Sequence, residues 1–291
     1  MFHLYTKPLE TDVFYQDEQD RILVLNLLAI AVMRSGCALL AFKMMSNHFH
    51  LVLEGEYTKL LAFFEDFKHL LRAYYKSRGR GGWIDDWEAG TTPVCSLRQF
   101  RTAMAYVIRN EFVVNPNINL FADPWSSGFL YFNPFLKKEG VRADTLTVRQ
   151  LKKFTGSRPQ PGISPDIYVL DGMAQPWSFV DYERAMGFYD NARQFVYSLL
   201  KSVEAQTEIA ISCGERPVFT DEDLIPVVYK FCREELKAEK PGLLDKVGKQ
   251  QLAKFLKDRH YASNGQIARV GKMSLAEVNT LFPTVAKAQI R

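Results

Sequence analysis

The chain has 291 residues, long enough for a well-buried core and two domains. Its 47% hydrophobic and 24% charged residues are those of an ordinary globular protein, and no apolar run approaches the ~18 residues of a membrane span. The net charge of +4 is uneven: residues 1–135 carry 13 Lys and Arg against 14 Asp and Glu, residues 136–239 carry 14 against 16, and residues 240–291 carry 10 against 3. The basic last fifty residues therefore suit a polyanion partner.

FHLYTK (2–7) reads as a short first strand, and a helix follows from about Asp17 to Arg34. Its stripe is Ile22, Leu25, Leu28 and Val32, with Ala29 as the small member and Gly36 as the stop. The run Ile22–Met33 is too short to span a membrane. It also follows Asp17, Glu18, Asp20 and Arg21, whereas a secretory signal opens with basic residues. CALLAFK (37–43) and HFHLVLE (48–54) are strands of a hairpin that turns at 44–47. A second helix runs over 57–82 and breaks at Gly79, Gly81 and Gly82. Residues 83–95 read as irregular, and a third helix over 96–114 is stopped by Pro116.

This order predicts an α+β fold: a ferredoxin-like plait with a central antiparallel sheet, followed by an all-helical C-terminal region. Residues 1–135 form the first domain, 136–210 a linker with a helical insert, and 211–291 a helical domain. A single long helix is expected over 178–205 and another over 220–239, opening with a capping box at Thr220–Asp223. Residues 249–283 read as three helices with capping boxes at Ser263–Gln266 and Ser274–Glu277, and Gly271 as the turn between them. Ile267, Val270, Val278, Leu281 and Phe282 supply their core. The pattern is that of a helix-turn-helix whose recognition helix, 275–282, presents Ala276, Asn279 and Thr280, with Lys272 and Lys287 toward phosphates. The four cysteines, Cys37, Cys95, Cys213 and Cys232, form no CxxC pair and read as reduced thiols of a cytoplasmic protein.

Two histidines lie two residues apart in the third strand, His48 and His50. Alternation puts them on one face with Val52 and Glu54, opposite Phe49, Leu51 and Leu53. Paired neutral imidazoles bind divalent metals, and no HExxH or Cys cluster points to zinc; Mg²⁺ or Mn²⁺ bound together with a phosphate suits them better. On the third helix the apolar stripe is Leu97, Phe100, Met104, Val107 and Ile108. Tyr106 and Asn110 stack one turn apart elsewhere on that helix. Tyr106 can serve as a nucleophile and Asn110 as an oxygen ligand. Tyr74 and Tyr75 are rival nucleophiles. They lie beside Lys68, His69, Arg72, Lys76, Arg78 and Arg80, a run without an acid that suits contacts to a DNA backbone.

NHFHLVL, with Met45 and Asn47 before the first histidine, resembles the histidine–hydrophobic–histidine strand of single-tyrosine HUH transposases. The match is to their REP-associated tyrosine transposase branch. The second block, YVIRNEFVVNPNINLFADPWSSGFLYF, carries Tyr106, Val107 and Asn110, then Trp125, Ser126 and Ser127, in the family's order and spacing. The resemblance covers residues 1–135. Where the family follows its Asn with Pro, this chain has Glu111, and Asn-Pro comes later at Asn115–Pro116. Glu111 lies about 140° around the helix from Tyr106, which favours Asn110 as the ligand.

The resemblance implies cleavage and transfer of single-stranded or hairpin DNA. His48, His50 and Asn110 would hold Mg²⁺ or Mn²⁺, and Tyr106 would form a covalent 5′-phosphotyrosine. Monomer and homodimer are both compatible, as are a mobile-element and a host role. A non-catalytic DNA-binding regulator that keeps the fold is the alternative, and a metal hydrolase of small phosphate esters is another.

Overall fold

The computed structural model describes residues 1–9, 13–114, 119–156, 163–200, 209, 210, 213, 219 and 221–283, excepting the side chains of 111–114 and 222. By its internal contacts the chain divides into two compact units, Met1–Lys201 and Ser202–Arg291. It is an α+β protein with a small antiparallel sheet.

The first unit opens with β1 (Phe2–Thr6), α1 (Glu18–Ser35), β2 (Ala38–Met44), β3 (Phe49–Glu54), α2 (Tyr57–Ser77), β4 (Ala89–Pro93) and α3 (Leu97–Val114). The four strands pair in the order β2-β3-β1-β4, each pair antiparallel. β4 falls where the sequence reads as irregular. Its residues, AGTTP, lack an apolar alternation, and it forms an edge strand by pairing along β1 from Phe2↔Pro93 to Thr6↔Ala89. The Tyr5 ring lies over Gly90, in the space a Cβ there would take.

Asp17 caps α1 by accepting from the Asp20 amide, and Gly36 ends it in the left-handed conformation at φ 66°. Instead of showing one stripe, α1 is buried continuously from Leu23 to Val32, while Ile22 is only half-buried. α1 packs on α2 on one side and on the segments that hold Phe154 and Ala174 on another. Buried Asn26 fixes that second contact: it donates to the carbonyls of Phe154 (2.9 Å) and Gly172 (2.8 Å) and accepts from the Ala174 amide (2.7 Å). α2 ends at Ser77, short of the glycines, and Gly79 and Gly81 follow at φ 66° and 95°.

The pleat of β3 sorts its residues as alternation requires. Phe49 meets Phe14, Phe67 and Trp87 on the α2 side, while His50 faces α3. α3 is covered on two sides, by β2 and β3 and by α6 (Ala192–Leu200). Phe100, Met104, Val107 and Ile108 are buried as the stripe predicts, but Leu97, in the first turn, is 48% exposed. The Pro116 stop lies outside the described residues.

Residues 136–200 also belong to the first unit. A second small sheet joins β5 (Val141–Arg142), β6 (Tyr168–Leu170) and β7 (Met173–Ala174). α4 (Val148–Thr155) carries a complete capping box, Thr147 with Gln150. The long helix expected over 178–205 is broken into α5 (Tyr182–Met186) and α6. Asp181 caps the first by accepting from the Arg184 amide. Asp190 and Asn191 restart the second: the Asn191 side chain accepts from the Gln194 amide, and Gln194 accepts from the Asp190 amide. Residues 201–205 of that predicted helix lie outside the described residues.

The second unit contains α7 (Asp221–Glu234), α8 (Lys246–His260), α9 (Asn264–Gly271) and α10 (Leu275–Leu281). Their core includes Leu224, Val228, Cys232, Leu252, Leu256, Ile267 and Val278. Both predicted capping boxes are formed, Ser263 with Gln266 and Ser274 with Glu277. Val270 is buried, whereas Leu281 and Phe282 are only partly covered. The left-handed turn residue between α9 and α10 is Lys272, at φ 53°, while Gly271 remains helical. Thr220, the expected cap of α7, and Lys287 lie outside the described residues. Cys37, Cys95, Cys213 and Cys232 are free thiols, and only Cys95 is exposed.

Candidate active site

Antiparallel pairing puts β1 beside β3 with Tyr5 opposite His50 and His3 opposite Val52. His3, His48 and His50 thereby gather on the face of the sheet that α3 covers. The His48 and His50 rings meet edge to face at 4.9 Å between centroids, and His3 stacks on His50 at 5.3 Å. His48 belongs to the turn, since β3 begins at Phe49 and the turn closes through Met45 N–H to the His48 carbonyl at 3.0 Å. All three imidazoles are buried. His3 Nε2 lies 3.1 Å from His50 Nδ1, and His48 Nδ1 lies 2.8 Å from Asn47 Oδ1.

Tyr106 comes from α3 to this cluster. Its ring stands edge to face against His50 at 5.1 Å and against His3 at 5.7 Å, and it is 7% exposed. The helix therefore turns two faces inward, one toward α6 and one toward the imidazoles. Asn110, one turn on from Tyr106, is half-buried. The Glu111 side chain and the Asn115–Pro116 pair lie outside the described residues.

Buried His3 and His50 belong to a group of side chains that could hold a metal ion. His48 and His50 each have Nδ1 beside a neighbouring side chain, Asn47 Oδ1 and His3 Nε2 respectively. Tyr106 and Asn110 lie one turn apart on the adjoining helix.

The Trp-Ser-Ser block fastens the far edge of this arrangement. The Trp125 carbonyl accepts from the Met44 amide at 2.9 Å, and the Ser127 amide donates to the Phe42 carbonyl at 3.0 Å. Ser127 Oγ also accepts from the Phe42 amide at 3.0 Å. Residues 125–127 thus run along the outer edge of β2. Buried Lys43, which pairs across the sheet with His50, forms an ion pair with nearly buried Asp123 in the same segment. Arg21 lies over both the Tyr15 and Trp125 rings, at 5.3 and 5.5 Å.

The rival tyrosines are on the other side of the sheet and are tied to the fold. The Tyr74 hydroxyl donates to the carboxylate of fully buried Asp20, and Tyr75 donates to the Phe14 carbonyl at 2.6 Å. Burial, then the Asp20 carboxylate, push the Tyr74 phenol well above the usual tyrosine range. A phenolate at Tyr74 is therefore disfavoured.

The basic run on α2 also differs from its reading as a DNA-facing strip. Lys68 is buried and donates to the carbonyls of Asp85 (2.8 Å) and Trp87 (2.9 Å), so it is a structural lysine. Arg80 is largely covered, bound to Asp20 (3.0 Å) and the Val13 carbonyl (2.7 Å). Arg72 pairs with Asp85, and Arg78 approaches Asp17 and Asp20. The acids that neutralise the run come from elsewhere in the chain. Lys76 is exposed. In the second unit Lys272, Ala276, Asn279 and Thr280 are exposed, and Asn279 Oδ1 accepts from Asn264 at 2.8 Å.

Sequence reasoning missed His3, Tyr5, Lys43 and Asp123. The alternation in FHLYT carries the signal for the first two, but only the strand order puts β1 next to the histidine strand.

No protein-family model, curated protein or solved structure matches this chain. No helix among the described residues is long and apolar enough to cross a membrane.

Proposed function

We propose that the chain is a metal-dependent enzyme of the single-tyrosine HUH type, cleaving and transferring single-stranded DNA through a covalent 5′-phosphotyrosine. The observation that carries this reading is the convergence of the Tyr106 ring on the His50 and His3 imidazoles, 5.1 and 5.7 Å away, within one chain. The β-α-β-β-α-β order, with strands arranged β2-β3-β1-β4, supports a ferredoxin-like plait as the scaffold.

His48 and His50, with the Asn110 carbonyl, would hold the divalent ion. When bound, that ion supplies Lewis-acid polarisation of the scissile phosphate. The phenol oxygen of Tyr106 attacks phosphorus, forming the Tyr–O–P bond as the P–O3′ bond breaks. The phenol proton is delivered to the departing 3′ oxygen, leaving a 3′ hydroxyl. Attack by a second 3′ hydroxyl reverses these bond changes and rejoins or transfers the strand; the phosphodiester energy is kept in the covalent link. The packing of α3 on β2 and β3 supports this role, since it would hold Tyr106 beside the ligands before substrate arrives.

The second unit is read as a helix-turn-helix for hairpin or duplex DNA, with α10 as the recognition helix, Asn279 and Thr280 at its exposed face and Lys272 in the turn before it. Lys76 and the partly exposed Arg72 and Arg78 remain as backbone contacts from α2.

Incubation of the full chain with labelled hairpin-containing single-stranded DNA and Mn²⁺, followed by a denaturing gel, tests the reading. A covalent adduct that forms with the wild type and disappears with Tyr106→Phe is expected. DNA binding with no adduct under either Mg²⁺ or Mn²⁺ would instead leave a non-catalytic regulator. Turnover of small phosphate esters with no preference for DNA would identify a hydrolase.

A further inference from the structure

The tautomers of the two histidines matter as much as their positions. An imidazole nitrogen binds a metal only through its lone pair, so a ligand using Nε2 must carry its proton on Nδ1. At His48 the surroundings settle where that proton sits. Asn47 Nδ2 donates to the Leu9 carbonyl at 3.2 Å, which fixes the amide's orientation and turns Oδ1 toward His48. An amide oxygen only accepts, so His48 Nδ1, 2.8 Å away, is the donor, and the lone pair is on Nε2.

At His50 the neighbour is a second imidazole. Its Nδ1 lies 3.1 Å from Nε2 of His3, in a stacked pair whose planes differ by 20°. His3 is 2% exposed and is held in β1 opposite Val52. For His50 to present its Nε2 lone pair, Nδ1 must donate and His3 Nε2 must accept. Both nitrogens are ring atoms of buried side chains on adjacent strands, so the geometry is preset by the sheet.

Resting on the metal reading above, we propose that His3 and Asn47 are positioning residues: they orient His50 and His48 and fix them in the tautomer that presents Nε2 to a divalent cation. His3 is thereby assigned a role at the site without being a ligand. Two different acceptors, one from β1 and one from the turn before β3, do the same task for two ligands.

Mn²⁺ binding to the full-length chain, followed by electron paramagnetic resonance, tests this without any DNA or turnover. His3→Phe and Asn47→Ala should each raise the Mn²⁺ dissociation constant by about 10- to 100-fold. His3→Gln, which restores an acceptor oxygen, should recover part of that loss. Pulsed measurement of nitrogen couplings should count two coordinated imidazoles in the wild type. Affinities within twofold of wild type for both His3→Phe and Asn47→Ala would overturn the inference, and so would three coordinated imidazoles, which would make His3 a ligand. His48→Ala and His50→Ala separate this from the parent reading: if neither weakens Mn²⁺ binding, the metal site itself is wrong. Thermal melts of the metal-free variants confirm folding. Should His3→Phe fail to fold, Asn47→Ala and the wild-type imidazole count still decide.

Discussion

Removing one oxygen atom from each of two tyrosines should have opposite consequences. Tyr74→Phe keeps the ring between α1 and α2 but removes the hydrogen bond to the Asp20 carboxylate, which is fully buried. A hydrogen bond to a charged group contributes about 1.5–3 kcal/mol. For a unit of the size of Met1–Lys201, each kcal/mol shifts the melting temperature by about 2–4 °C, so a fall of about 3–12 °C is expected. The covalent DNA adduct should still form at temperatures where the variant is folded. Tyr106→Phe keeps the edge-to-face contacts with His50 and His3 and removes only the hydroxyl. Its melting temperature should change by less than about 4 °C, as for an ordinary single hydrogen bond of about 1 kcal/mol. The adduct should vanish below detection while the DNA dissociation constant stays within about threefold, a difference of about 0.7 kcal/mol. Differential scanning calorimetry and a denaturing gel with labelled DNA read both quantities on the same preparations. Persistence of the adduct in Tyr106→Phe, or its loss in Tyr74→Phe with an unchanged melt, would refute the assignment of one phenol to structure and the other to chemistry.

Three further outcomes follow from particular contacts. Burial alone would raise the Asp20 pKa, but donation by Tyr74 and the Gln16 amide, with the charges of Arg80 and Arg78, hold it below the ordinary 3.8. Its contribution is thus complete above about pH 4 and is lost as pH falls through the folded value. Asp20→Asn should be less stable at pH 7 but lose less stability than wild type between pH 4 and pH 2 in urea titrations; equal acid sensitivity would contradict this. Lys43→Met should cost about 3–5 kcal/mol, because it strands the nearly buried Asp123 carboxylate, and adding Asp123→Leu should recover most of it. Urea midpoints of the single and double variants measure the difference, and additive losses would count against a coupled pair. Lys272→Ala should weaken hairpin binding for all sequences alike and reduce the slope of log affinity against log salt by about 1. An unchanged slope removes Lys272 from the phosphate contacts.

The sequence was most legible where period and chemistry agreed. The spacing of His48 and His50 and the one-turn spacing of Tyr106 and Asn110 were both readable, and the structure brings His50 and Tyr106 together. The two capping boxes around α9 and α10 were readable because each needs only four consecutive residues. What failed depended on partners distant in sequence. β4 has no pattern of its own and exists by pairing with β1. The break between α5 and α6 rests on the Asn191 side chain, which accepts from the Gln194 amide, and on the Gln194 side chain, which accepts from the Asp190 amide, inside an otherwise helical periodicity. The run from Lys68 to Arg80 looked unneutralised only because Asp17, Asp20 and Asp85 approach it through tertiary structure. His3 could not be recruited to the site until the strand order was known.

The pleat of the sheet separates an aromatic face from a face of imidazoles and a phenol. On one face of β3, Phe49 enters an aromatic cluster with Phe14, Phe67 and Trp87, and the phenols nearby, Tyr74 and Tyr75, are fixed by hydrogen bonds. On the other, His50 meets His3 and Tyr106. A slip of one residue in the pairing of β3 would exchange the two sets, sending an imidazole into the aromatic core and Phe49 toward α3. The burial of Phe49 therefore enforces the address of His50: the same hydrophobic free energy that folds the hairpin also aims the imidazole. The segment at 125–127 adds to that control by pairing with the outer edge of β2, while Asp123 binds the lysine opposite His50. In this fold the second sequence block thus has two tasks, delivering Tyr106 from α3 and clamping the strand that faces the histidines.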